Sequence, residues 1–237
     1  MNPRILLVED DPTSRAFLLA ATRALPADVD VAPDMATAIG IATSRTHALW
    51  LFDARLPDGS GAALLQALRE RGLATPAIAH TASREPAEHD ALRAAGFIDT
   101  LAKPLPAAEW TLALRRALGG GGGATAEDAG GYQGGAPRPV WDEAQALAAL
   151  GNNPSNVSGL RALFLSELPA ARDAVAGAAR QGDAVRVRDH LHRLRAGCGF
   201  VGAARLLDAV LRLEASPASP PALRAFLDAV QDTLSPP

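Results

Sequence analysis

Lysine is almost absent from this 237-residue chain: of its 23 basic residues, all but Lys103 are arginine. A sequence that uses arginine nearly everywhere keeps a lysine where a compact, flexible ammonium fits and a planar guanidinium does not. Cysteine is just as scarce. With Cys198 alone, an internal disulfide and a thiolate zinc cluster are excluded, and a reducing compartment is implied. No apolar run approaches the roughly 18 residues of a membrane-spanning helix, so no membrane partner is expected. The start, MNPRILLVEDD, turns acidic too soon for a signal peptide, which makes the cytoplasm the expected location. Basic excess is missing too: a formal charge of -3 gives no general drive toward nucleic acid or an anionic lipid surface. No Gly-x-x-x-x-Gly-Lys loop is present, so an ATP-dependent kinase is not expected.

What is present is enough apolar material, 48% of residues, for the cores of two ordinary domains. Short apolar runs at Arg4 to Val8, Asp28 to Ala32, Ala48 to Phe52, Ala77 to His80 and Thr100 to Ala102 alternate with helical patterns. These patterns cover Thr13 to Leu25, Met35 to Ser44, Ala62 to Arg71, Glu85 to Ala95 and Ala107 to Leu118. Strand followed by helix, five times over, predicts a parallel sheet with helices on both faces for residues 1–118. Residues 119–139 carry five consecutive glycines, two further glycine pairs and two prolines, which predicts a flexible linker spanning roughly 25 Å. From 140 to 237 only helical patterning remains, at Asp142 to Leu150, Asn156 to Arg180, Asp183 to Phe200, Ala203 to Glu214 and Pro221 to Thr233. Pro169 is expected to kink or split the second of these.

Ligands of an open parallel sheet bind beyond the carboxyl ends of its strands. Strand one ends in Glu9-Asp10-Asp11, strand three in Asp53, strand four in Thr81 and strand five in Lys103-Pro104. Crowded carboxylates call for a hard cation such as Mg²⁺, while lysine and a hydroxyl suit phosphoryl oxygens. Asp11 reads as a helix cap, and Leu56-Pro57-Asp58-Gly59 as a turn shaping the loop beside Asp53. His80 reads as a surface residue near the pocket mouth; His47 and His89 have no metal-ligand pattern around them.

The stretches ILLVEDDP, LFDARLPDGSG, HTAS and LAKPL resemble the signature stretches of response-regulator receiver domains, in order over residues 4–118. The resemblance implies a flavodoxin-like, doubly wound five-stranded α/β fold. It also implies Asp53 as phospho-acceptor, Thr81 and Lys103 as phosphoryl contacts, and Mg²⁺ held by Glu9, Asp10, Asp53 and the Arg55 backbone carbonyl. Receivers usually carry an aromatic residue three positions before the lysine, whose inward swing accompanies activation. Thr100 stands there instead.

In the helical region, Val187, Leu191, Leu194, Cys198 and Val201 form one apolar line. His192 lies about 100° round the helix from Leu191, so it is expected to be accessible on the flank, among Arg188, Arg195, Ala196 and Gly199. Gly197 and Gly199 weaken a helix interior, which implies a packing or docking reason or a fraying end. The segment from His192 to Ala203 is similar to the core motif of histidine phosphotransfer (HPt) domains, which are all-α four-helix bundles. Arg195 replaces a common lysine and Ala196 a common glycine. By this resemblance His192, rather than His190, is the second phospho-acceptor, and Arg195 a catalytic neighbour.

Together the resemblances imply a two-component phosphorelay protein whose partners are a sensor or hybrid histidine kinase and other receiver domains. Exchange between Asp53 and His192 within one molecule is the leading expectation. The alternatives are a phosphorylation-controlled docking switch that transfers nothing, and a phosphate sink at Asp53.

Overall fold

The computed structural model describes residues 2–119, 138–150 and 153–235. The chain divides into two compact units, Met1–Gly121 and Gly122–Pro237. The expected linker lies almost wholly outside the described residues.

In the first unit the apolar runs become strands β1 (Arg4–Val8), β2 (Asp28–Ala32), β3 (Leu49–Asp53), β6 (Ala77–Thr81) and β7 (Asp99–Ala102). They pair in parallel in the order β2-β1-β3-β6-β7. This is the doubly wound order whose switch point lies between β1 and β3. Every residue of β3 and β6 is buried, as central strands covered on both faces require. A feature not foreseen is a two-stranded ribbon, β4 (Arg55–Leu56) and β5 (Gly59–Ser60), closed by the Pro57-Asp58 turn. The Asp58 carboxylate accepts from the backbone N–H groups of Met35 and Ala36 at 2.9 and 3.1 Å, so this turn also holds the start of the helix that opens at Met35.

The helices are α1 (Pro12–Arg23), α2 (Met35–Ser44), α3 (Gly61–Glu70), α4 (Pro86–Ala94) and α5 (Ala107–Leu118). Asp11 caps α1, its Oδ1 accepting from Ser14 N at 2.7 Å. One core gathers Leu6, Val8, Trp50, Phe52 and Ala79 with Leu64, Leu65 and Leu68 of α3 and Leu92 of α4. Toward α1 and α5, Phe17, Leu18, Trp110 and Leu114 are buried, and the Trp110 indole N–H donates to Thr22 Oγ1 at 2.9 Å.

The second unit holds α6 (Glu143–Ala149), α7 (Pro154–Arg180), α8 (Ala184–Val201), α9 (Ala204–Ala215) and α10 (Pro220–Leu234). Helices α7 to α10 each pack on the next, α10 closes on α7, and α6 lies against α8 and α7. Phe164, Leu168, Leu191, Phe200, Leu206, Val210, Phe226 and Val230 fill the interior. Pro169 does not split α7, which runs unbroken for 27 residues. Helix α8 likewise continues through Gly197 and Gly199, both buried, so the glycines serve packing and not a frayed end. Gly202 ends α8 with φ of 72°, and a Cβ there would collide with the Asp142 carbonyl. Its own carbonyl accepts from Asp142 N at 2.7 Å, tying α6 to the end of α8.

Candidate functional site: an acidic pocket and a helical histidine

Strand register brings the predicted residues of the first unit together. Val8 pairs with Phe52, Asp53 with His80, and Thr81 with Ala102. Glu9, Asp53, Thr81 and Lys103 thus stand at neighbouring strand ends, and all four are buried. Gly61, opening α3, makes this closeness possible: its N–H donates to Ala54 O at 3.1 Å, and a Cβ would collide with the Asp53 carbonyl oxygen.

The Lys103 ammonium lies between two carboxylates, 2.6 Å from Asp53 Oδ2 and 2.8 Å from Glu9 Oε2. Asp53 Oδ1 accepts from the Arg55 backbone N–H at 2.9 Å, and Glu9 Oε1 from Asp11 N at 3.2 Å. Burial works against all these charges. At Asp53 it is the largest single influence, but Lys103, His80 and the Arg55 backbone N–H together outweigh it and the pKa is lowered, whereas at Glu9 burial prevails over Lys103 and the pKa is raised well above its ordinary value. Burial also opposes the Lys103 charge, but the two carboxylates outweigh it and raise its pKa. Two buried carboxylates thus share one ammonium, an oxygen-rich arrangement that fits a hard divalent cation, and the half-buried Asp10 follows Glu9 directly in the chain.

His80 departs from expectation. It is fully buried instead of lying at the surface, because it is on a central strand beneath α5, its ring edge-on to Trp110 with centroids 5.6 Å apart. Its Nδ1 is 3.6 Å from Glu9 Oε2, and burial lowers its pKa to about 3. Glu9, Asp53 and His80 each offer a ligand atom within 4.8 Å of the others. A period-two reading of β6 could have placed His80 on the inner face with Ile78.

Two further contacts escaped the sequence reading. Glu88 Oε1 accepts from the Thr81 hydroxyl at 2.7 Å, and His89 Nδ1 lies 2.8 Å from Thr100 Oγ1. Both residues belong to the first turn of α4. The only sequence signal was their adjacency seven and eight residues after Thr81.

In the second unit His192 is 4% exposed, which corrects the expectation of an accessible histidine. A single apolar line describes a helix with one buried face. Helix α8 instead packs against α6, α7 and α9, so its buried arc widens to take in His192, Ala196 and Gly199. Arg195 stays part-exposed and pairs with Glu214 of α9 at 3.4 Å. His190 is part-exposed, and its pKa is lowered first by burial and then by Arg193.

Residues 5–115 match the response regulator receiver domain family and residues 159–235 the Hpt domain family. An uncharacterised 14.6 kDa protein of Leptolyngbya boryana is 34% identical over 103 residues, covering 43% of this chain and 79% of that protein. The sensor histidine kinase GacS of Pseudomonas protegens is 25% identical over 232 residues, covering 90% of this chain. The chain spans only 24% of that kinase. Among solved structures, a Francisella response regulator receiver domain matches at 24% identity with a TM-score of 0.48, covering 50% of this chain and 98% of that one. A chemotaxis response regulator of Vibrio cholerae matches at 22% and 0.47, covering 50% of this chain and 100% of that one. Among the described residues, no helix is long and apolar enough to cross a membrane. With a receiver domain and an Hpt domain in one polypeptide, the chain belongs to the response regulator receiver family and is a two-component phosphorelay protein.

Proposed function

We propose that Asp53 accepts a phosphoryl group in the receiver domain, that His192 is the acceptor of the Hpt domain, and that the two exchange phosphate within one chain. The observation that carries the first assignment is the Lys103 ammonium 2.6 Å from the buried Asp53 carboxylate, a pairing that favours its ionised form. An ionised carboxylate is the nucleophilic form. As an Asp53 oxygen forms its bond to phosphorus, the bond from phosphorus to the donor breaks and the donor takes the electron pair. For phosphohistidine the leaving atom is an imidazole nitrogen. Lys103 and the Thr81 hydroxyl stabilise the phosphoryl oxygens, and the Arg55 N–H orients the carboxylate. Glu9, Asp10, Asp53 and the Arg55 carbonyl would hold Mg²⁺, which supplies Lewis-acid stabilisation of phosphoryl charge.

A histidine kinase of the kind this chain resembles is the proposed source of phosphate, and other receivers are its proposed recipients. Support for His192 comes from its place in the Hpt-matched segment, with Arg195 one turn away. Because the ring is buried, transfer requires a side-chain rotation that brings a nitrogen to the surface. Ala196 and Gly199, at the next turns of that flank, put no long side chain in its way.

Incubation with acetyl phosphate and Mg²⁺, followed by mapping, tests the assignments. The expected result is an acyl phosphate lost in Asp53→Asn, and an alkali-stable phosphohistidine lost in both His192→Gln and Asp53→Asn. Phosphohistidine that survives Asp53→Asn would overturn the internal route, and label on His190 would overturn the choice of histidine.

A further inference from the structure

Thr81 has one hydroxyl proton, and in this structure that proton is committed. The Thr81 side chain is fully buried, its hydroxyl donates to Glu88 Oε1 at 2.7 Å, and its oxygen accepts from Ser83 N at 3.1 Å. A phosphoryl group on Asp53 would present oxygens that compete for the same proton. Only one acceptor can take it.

The competing acceptor sits where it has leverage. Glu88 is in the first turn of α4, after Pro86, and the N-cap residue Glu85 makes no side-chain capping bond. Within the helix the turn is closed by the Glu88 and His89 N–H groups on the Glu85 carbonyl, at 3.0 and 3.3 Å, and side chains tie it to β6, β7 and the loop at Ser83. Besides Glu88 on Thr81, His89 Nε2 bonds the Ser83 carbonyl at 3.1 Å while its Nδ1 meets Thr100 Oγ1 at 2.8 Å. A carbonyl only accepts, so in the neutral ring Nε2 carries the proton and Nδ1 takes the Thr100 hydroxyl. Adjacent residues of α4 thus hold the hydroxyl of Thr81, at the end of the strand next to that of Asp53, and the hydroxyl at the position where receivers usually carry an aromatic.

We propose that Glu88 is a positioning residue for phosphorylation of Asp53: it holds the Thr81 hydroxyl away from the incoming phosphoryl group, and loss of that bond frees the first turn of α4. The event is a hydrogen-bond exchange, and the proton stays on Thr81. It rests on Asp53 being the acceptor. In place of an aromatic swing, the receiver reports phosphate through the start of α4.

The test uses the full chain with Glu88→Ala, Glu88→Gln, Thr81→Ala and the Thr81→Ala/Glu88→Ala double variant. The readouts are the initial rate of Asp53 labelling by acetyl phosphate with Mg²⁺, and amide hydrogen exchange over residues 87–91. Removing one charged hydrogen-bond competitor is expected to speed labelling about tenfold in Glu88→Ala. The gain should vanish in the Thr81→Ala background, and Glu88→Gln, whose carboxamide oxygen still accepts, should stay close to wild type. Exchange over 87–91 should quicken in Glu88→Ala before labelling, and in wild type once labelled. Equal rates in Glu88→Ala and wild type overturn the proposal, as does a gain that persists without the Thr81 hydroxyl. Failure of wild type to label at Asp53 would instead sink the assignment beneath it.

Discussion

Lys103 shows how far composition alone reaches. A chain that otherwise uses arginine places its lone lysine between two carboxylates at 2.6 and 2.8 Å, a gap suited to a point charge. Asp53, Thr81, Lys103 and Glu9 were legible because strand ends converge in any parallel sheet. His80 was not, since a histidine ending a short apolar run reads equally as exposed or inward, and only its cover by Trp110 decides. Its burial has a pH consequence. A histidine whose pKa falls from 6.5 unfolded to about 3 folded adds stability above pH 6.5 and loses it as the pH falls toward 3. Replacing it by leucine should remove roughly 3 kcal/mol of the stability lost between neutrality and pH 4. Urea unfolding of His80→Leu and wild type across that range, in chelator, checks this; parallel curves would contradict it.

Among the elements, the periodicities of two and 3.6 located all five strands of the sheet and every long helix to within a few residues. The β4–β5 ribbon escaped because two-residue strands carry no period. Burial of His192 escaped because a helical stripe tells where one partner lies, not how many partners there are. Pro169 likewise reads as a break, although its neighbours Leu168 and Val175 are anchored in the bundle. The junction of β3 and α3 is the least tolerant point of the receiver. At Gly61 the obstacle is the Asp53 backbone, which cannot swing aside as a side chain would. Gly61→Ala should therefore cost about 1–3 kcal/mol in denaturant unfolding. It should also slow Asp53 labelling, whereas Gly40→Ala, with open space around it, should do neither.

For the molecule as a whole, the order of the two domains was readable from the switch between strand and helical periodicity, whereas the route of phosphate between them is a matter of kinetics. If Asp53 supplies His192 in the same chain, the half-time of His192 labelling stays constant when the protein is diluted roughly tenfold, since the donor travels with its acceptor. Transfer between chains would slow in proportion, and a dilution series quenched in alkali separates the two. The whole chain also concentrates its ε-amine chemistry on one atom, the Nζ of Lys103, which is 2% exposed and doubly ion-paired. An amine-acylating reagent can modify a lysine side chain only when that pocket opens. A single mass increment on Lys103 is therefore a clock for its opening, with no second lysine to blur the reading.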